Sequence, residues 1–210
     1  MHSLAQLDEV RIIVGTHQKG MYVFNTVNKE FQKVTLEDGI EENGLQVNDI
    51  VVDKLKRIWV GSNYGLMQLD FTSLKLKAVE SRALQNEHLL SSEIISLEAD
   101  KFGSIWAGTE QNGILKILPT TATNFMLKHY PITEKRIFSV KEYKDGLILF
   151  GSENDGLFVL SSDGDILKQY LKEIGNDFSI QSNSIWSIHC DANDRVWMGY
   201  YDQGVNKFDP

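Results

Sequence analysis

Only one cysteine and three prolines occur in these 210 residues. A lone thiol excludes any intrachain disulfide, so packing and backbone hydrogen bonds must hold the fold. Cys190 stands in a strand-patterned run and reads as a small core residue, which leaves the redox compartment open. No apolar run approaches the ~18 residues of a spanning helix. The start, Met1-His2-Ser3-Leu4, has no apolar h-region, so no signal peptide is expected in this stretch. Basic charge is scarce: 21 Lys and Arg stand against 29 Asp and Glu, a formal net charge of −8. With no Lys/Arg cluster, no nucleic-acid partner is expected, because a phosphate backbone needs a basic face.

Catalytic signatures are missing as well. There is no Gly-x-Ser-x-Gly elbow, no His-Glu-x-x-His and no phosphate loop ending in Gly-Lys-Ser/Thr. The five histidines, His2, His17, His88, His129 and His189, are scattered without ligand spacing and read as surface or strand residues. Asp191-Ala192-Asn193-Asp194 lacks the Gly and the distal Glu of a calcium loop and reads as a turn. Glu41-Glu42 lies in a polar loop and reads as solvated. Catalytic residues, metal and cofactor are therefore all expected to be none.

What the chain does have is a motif in five copies. They are Ile13-Val14-Gly15-Thr16, Trp59-Val60-Gly61-Ser62, Trp106-Ala107-Gly108-Thr109, Leu149-Phe150-Gly151-Ser152 and Trp197-Met198-Gly199-Tyr200. A second glycine follows each, at Gly20, Gly65, Gly113, Gly156 and Gly204, and then a short alternating run. The first glycines lie 46, 47, 43 and 48 residues apart. A period of roughly 40–50 residues with strand patterning inside each unit marks a β-propeller.

The unit Val47–Glu80 shows the plan. Val47–Val52 is a β-branched inner strand, Asp53–Lys56 a polar turn, Arg57–Ser62 a second strand, Leu66–Asp70 a third and Lys75–Glu80 an alternating fourth. Ile94–Leu97, Ile137–Val140 and Ile185–Ile188 are the further inner strands. Asp145-Gly146 and Asp163-Gly164 supply hairpin turns with positive φ. Glu87–Leu90 and Leu171–Ile174 could form one helical turn each. The Trp, Ile or Leu two residues before each glycine should fill the space between blades. The glycine itself should let the backbone pass beneath a neighbouring aromatic ring. Twelve residues before each glycine stands a short polar residue, Ser3, Asp49, Ser96, Ser139 or Ser187, expected to line a central channel.

The fold class is thus all-β: a partial β-propeller of about five four-stranded antiparallel blades, 1–36, 37–82, 83–131, 132–174 and 175–210. The first and last blades are expected to be incomplete, since Ser3 aligns with Ser187 inside a strand and the last unit ends after its third strand. An incomplete ring would bare the apolar flanks of its terminal blades, so marginal stability or self-association is expected.

The repeats resemble the two-component regulator propeller. Ser182–Asp191 followed by Val196-Trp197-Met198-Gly199 matches its pattern, as does Ser92–Asp100 with Ile105–Thr109, and the fourth unit diverges most. The resemblance implies the extracytoplasmic sensor region of bacterial hybrid two-component regulators, where seven-bladed propellers, ~320 residues at ~46 per blade, precede a membrane span and a histidine kinase. It implies a periplasmic, non-enzymatic segment of an inner-membrane protein that recognises an oligosaccharide. Its implied partners are the remaining blades and the kinase module, with homodimerisation of the full-length protein an option. Ligand faces of propellers are built from the turns between strands two and three and from the segments leading into strand one. The candidate ligand-binding residues are Asn48, Tyr64, Gln111, Arg136, Asn154, Trp186, Tyr200 and Tyr201, whose amides, guanidinium and rings suit sugar hydroxyls and apolar sugar faces. Two alternatives stand beside this reading: a propeller enzyme of lyase or lactonase type, and a protein-interaction scaffold, for which the Gly-His and Trp-Asp signatures are missing.

Overall fold

The computed structural model describes residues 3–37, 44–79, 87–120 and 124–208; His2 and Glu41-Glu42 lie outside them. Among the described residues, twenty strands form five sheets. The first holds β1 (Ser3–Gln6), β2 (Arg11–Gly15), β3 (Met21–Asn25) and β4 (Phe31–Lys33). The second gathers β5 (Thr35–Leu36), β6 (Val47–Val52), β7 (Ile58–Ser62), β8 (Gly65–Asp70) and β9 (Lys75–Ala78). The third is β10 (Ile94–Ala99), β11 (Ile105–Thr109), β12 (Ile114–Pro119) and β13 (Phe125–Tyr130). The fourth is β14 (Ile137–Glu142), β15 (Ile148–Ser152), β16 (Leu157–Leu160) and β17 (Ile166–Tyr170). The fifth is β18 (Ile185–Cys190), β19 (Val196–Tyr200) and β20 (Val205–Phe208). Apart from β5, each is an up-and-down antiparallel meander, the blade of a propeller.

Two details depart from the sequence reading. The second sheet has five strands, because β5 pairs in parallel with β9 (Thr35 with Lys75, Leu36 with Leu76). Residues counted with the first unit thus belong by hydrogen bonding to the second. Leu171–Ile174 is irregular, whereas Glu87–Ser91 does form a turn of 3-10 helix. The hairpin turns behave as expected, with positive φ at Asp145, Gly146 and Gly164.

The repeat spacing acquires a geometric cause. The short polar residue twelve positions before each glycine is that glycine's cross-strand partner: Ser3–Gly15, Asp49–Gly61, Ser96–Gly108, Ser139–Gly151 and Ser187–Gly199. Several of these residues also tie neighbouring blades. Asp49 accepts from the Ser3 hydroxyl on one side and the Leu97 N–H on the other (3.2 and 2.8 Å). Ser96 donates to the Ile137 carbonyl, and Ser139 accepts from the Ile188 N–H. Ser96 is buried between blades rather than lining a channel.

The glycines face something other than an aromatic ring. A Cβ at Gly15, Gly61, Gly108 or Gly151 would lie 2.5–2.8 Å from a methyl of Val47, Ile94, Ile137 or Ile185, the first residue of the next inner strand. Glycine is thus the socket for a β-branched knob on the following blade, and Gly199 at the last blade meets only Ser187 of its own sheet. The Trp two residues earlier does fill the blade interface. Trp106 packs edge-on to Phe150 of the fourth sheet, centroids 5.9 Å apart, and both are fully buried. Burial of a side chain such as Phe150 contributes about 2–3 kcal/mol.

An aspartate organises the turn before each of these tryptophans. The indole N–H groups of Trp59, Trp106 and Trp197 donate to Asp53, Asp100 and Asp191, six residues upstream, at 3.0, 2.9 and 3.0 Å. The other carboxylate oxygen caps two backbone N–H groups of the hairpin, at Phe102 and Ser104 in the third blade. In the fourth blade Tyr143 stands at this position and donates instead to the Asp194 carbonyl of the next blade.

These bonds set the response to acid. Burial pushes the Asp53 carboxyl up, but the Trp59 indole, the Arg57 N–H and its guanidinium hold it below the ordinary 3.8. The Trp197 bond does the same for Asp191. A depressed folded-state value means stability that is full above the unfolded value and lost as pH falls through the folded one. Asp49 has the opposite sign: burial raises it, so its contribution declines as pH rises above 3.8. The urea midpoint is expected to drop as pH falls below about 4, and Asp53→Asn is expected to flatten that limb.

Candidate functional site

Every inner strand of blades two to five carries the same irregularity. The register slips between Val47 and Asp49, Ile94 and Ser96, Ile137 and Ser139, and Ile185 and Ser187. The residue inside each slip is the extra one of a β-bulge, and a bulge re-aims its side chain. Those residues are Asn48, Ile95, Phe138 and Trp186, thirteen before each glycine, and all four line one cavity of about 680 Å³. His17, Gln46, Asp49, Glu93, Arg136, Ser139 and Ser187 complete its wall. It sits where inner strands β6, β10, β14 and β18 begin and forms a mouth between them.

One side of this mouth is aromatic. Phe138 and Trp186, from adjacent blades, stack with centroids 4.7 Å apart and planes at 27°. Tyr201, in the turn after β19, lies over Trp186 at 5.0 Å and 33°. The Arg136 guanidinium sits 5.6 Å from the Phe138 ring centre. Trp186 stays 47% exposed between its two neighbours, so the offset stack leaves part of its ring in solvent. A second cavity of about 380 Å³ opens beyond it, lined by Glu153, Asn154, Ser182, Ser184, Trp186, Tyr201 and Asp202. Trp186 is the wall the two cavities share.

The polar side is pre-paired. Arg136 grips Glu110 with two guanidinium nitrogens, which raises its pKa further and fixes its stem against Phe138. Asn48 donates to Glu93 and to the Ile94 carbonyl (3.2 and 2.9 Å). Asn154, at φ 68°, accepts from the Ser184 hydroxyl and donates its backbone N–H to the same oxygen. Such locked rotamers present a ligand with a surface already ordered.

Of the residues singled out by sequence, Asn48, Arg136 and Trp186 meet at the mouth, and Asn154 and Tyr201 join Trp186 around the second cavity. Tyr64 and Gln111 line neither. Tyr200 is a correction: it is 7% exposed in the core between blades four and five, its hydroxyl donating to Asn206 and accepting from the Gln181 N–H. Strand alternation turns Tyr200 inward while Tyr201 faces out. Sequence reasoning passed over Phe138, Asp49 and Glu93 as site residues. Their signal was positional, the first two standing thirteen and twelve residues before a repeat glycine, but a bulge cannot be read from composition. Among the described residues no group of three His, Cys, Asp or Glu is placed to hold a metal ion. Burial pushes the Cys190 thiol up to about 11, away from reactivity.

Residues 179–202, which contain β18, β19 and the Tyr201 turn, match the family model described as two component regulator propeller. This segment is similar to a two-component regulator propeller repeat. Its bulge residue is Trp186, so the repeat supplies the centre of the aromatic wall. Among curated proteins, none matches the sequence. Solved structures do resemble it. One is the extracellular domain of a protein assigned as a hybrid two component system from B. thetaiotaomicron, with TM-score 0.80, 20% identity, and coverage of 98% of this chain and 26% of that one. A second such domain from the same organism aligns with TM-score 0.70 at 17% identity over 99% of this chain and 26% of its own. Virginiamycin B lyase from Staphylococcus aureus aligns with TM-score 0.69 at 14% identity, over 99% of this chain and 69% of the lyase. These likenesses establish the propeller fold, and the chain spans about a quarter of the length of the two extracellular domains.

Proposed function

We propose that this chain is the ligand-sensing part of an extracytoplasmic, periplasmic sensor of two-component type, and that it binds an oligosaccharide at the channel mouth without turning it over. The observation that carries the reading is the Phe138–Trp186–Tyr201 stack, a half-exposed aromatic surface held between two polar cavities. Aromatic rings beside ordered carboxylates and amides provide apolar contact for sugar C–H groups and acceptors for sugar hydroxyls. The two-component propeller repeat and the hybrid two component systems of similar fold support the sensor role. In the full-length protein the signal passes to a histidine kinase module. Further blades of the same kind are the partners that fit the last sheet, whose Gly199 socket has no β-branched knob over it while four preceding sockets do. The full-length protein is also open to acting as a homodimer.

The test is Trp186→Ala. Screening the purified chain by calorimetry against oligosaccharides is expected to find a binder, and the variant to weaken it at least about tenfold, the equivalent of 1.4 kcal/mol. Because Trp186 is half exposed, the circular dichroism spectrum and melting curve should stay close to the parent's. Equal binding by the variant would remove the mouth from consideration.

A further inference from the structure

The two cavities agree in chemistry as well as sharing a wall. Glu93 faces the mouth, and Glu153 and Asp202 face the outer cavity, while Asp49 in the mouth wall is committed to Ser3, Ile50 and Leu97. Among the described residues, Arg136 is the one Lys or Arg lining either, and its guanidinium is committed to Glu110. The Asn48 amide is engaged too, its Nδ2 serving Glu93 and the Ile94 carbonyl. Amides and hydroxyls of Gln46, Ser139, Ser182 and Ser187 also line the two cavities, but the charge there comes from carboxylates, and a carboxylate only accepts. A matching ligand must bring donors, as hydroxyls or amines do. A carboxylate or sulfate on the ligand would bring further acceptors and a like charge.

Extent is set by Trp186. Its ring reaches both spaces, with Phe138 behind it on the channel side and Tyr201 on the rim side. A ligand confined to the mouth would leave Tyr201 and the outer cavity unused. A linear chain crossing the Trp186 edge would meet both.

We propose that the two cavities form one extended site, divided by Trp186, for a linear oligosaccharide of at least two sugars that carries no carboxylate or sulfate. This rests on the oligosaccharide reading above and names the class within it. One sugar occupies the channel mouth beside Glu93, and the next lies over the rim of the last blade beside Tyr201 and Asp202.

An immobilised panel at pH 7.5 tests it: single sugars, neutral and amino-sugar oligomers of two to six units, and uronate or sulfated oligomers of matched length. The expected result is binding confined to neutral or amino oligomers of two units or more, with anionic oligomers at least about a hundredfold weaker, since like charges a few ångströms apart repel strongly at a partly buried site. Tyr201→Ala, a change at a side chain 76% exposed, is expected to abolish the gain from one unit to two while leaving the fold intact. The double variant Glu153→Gln/Asp202→Asn is expected to narrow the discrimination against anionic chains. Single sugars binding as tightly as pairs, or uronates as tightly as neutral chains, would overturn the inference while leaving oligosaccharide sensing standing. Silence across every class would overturn the sensing reading, and this inference with it.

Discussion

Asp100→Ala is expected to lower the melting temperature by roughly 6–16 °C, the consequence of about 3–4 kcal/mol lost in a chain of this size. The carboxylate lies in a fully packed turn and takes three donors: the Phe102 and Ser104 N–H groups and the Trp106 indole. Phe102 is exposed and can turn to water; Ser104 and Trp106 are buried and cannot. Alanine therefore strands two donors in the interior, at about 1–3 kcal/mol each. Trp106 also spans the junction between the third and fourth blades, where it meets Phe150 and lies beneath the Lys116 ammonium at 4.6 Å. Tilting the indole to find a new acceptor would disturb that contact. The comparison is Asp191→Ala, where the equivalent Trp197 is only partly buried and Arg195 is open to solvent. Its effect on the melting temperature is expected to be clearly smaller. Equal shifts in the two variants would mean that burial of the indole is not what makes the bond matter. Differential scanning calorimetry on both proteins decides it.

The same contrast explains how much of this molecule can be read from its residues alone. The glycine period and the twelve-residue offset are legible because both come from hydrogen-bond register: Asp49 opposite Gly61 is a fixed count around a hairpin. The division into blades follows, and so does the inward Trp. Asp53 and Asp191, six residues before Trp59 and Trp197, read as ordinary turn residues, since Asp is common in turns whether or not it reaches an indole. That β5 leaves its own unit to pair with β9 has no local signal, because two residues carry too little pattern to name a partner.

The site was less legible than the scaffold, for a physical reason. A strand's alternation assigns each residue a face, and a bulge reverses the assignment at one point. Trp186 is a candidate for its ring alone and Phe138 reads only as an inner-strand residue, whereas the slips at Ile185/Ser187 and Ile137/Ser139 send both to the mouth. Their stacking further depends on the spacing of two blades, which neither sequence segment contains. Tyr200 and Tyr201 show the converse. Adjacent and chemically alike, they were grouped together, yet one is in the core and the other on the rim. What separates them is that Tyr200 is the last residue of β19, paired with Ile185, and Tyr201 the first of the turn.

Gly156→Ala is expected to be among the most damaging single substitutions, at about 3–5 kcal/mol. Two costs combine there. The residue sits at φ +75°, a left-handed conformation that costs an L side chain about 1–2 kcal/mol. In addition, a Cβ would fall 2.1 Å from the Tyr170 carbonyl oxygen at the end of β17, a backbone atom that no rotamer change can move aside. Relief requires parting β17 from the β15–β16 turn, and with it the Gly156 N–H bond to the Asn183 carbonyl that fastens the fourth blade to the segment preceding β18. Glu153, Asn154 and Ser184 flank that seam, so the outer cavity should open as the blade loosens. Gly175→Ala separates the two costs: it has φ +82° but nothing within 4 Å of its Cβ, and should show only the conformational part. Urea unfolding of both variants measures the difference. If Gly156→Ala is no worse than Gly175→Ala, the close approach to Tyr170 relaxes at no cost, and the second glycine of the repeat is there for its dihedral alone.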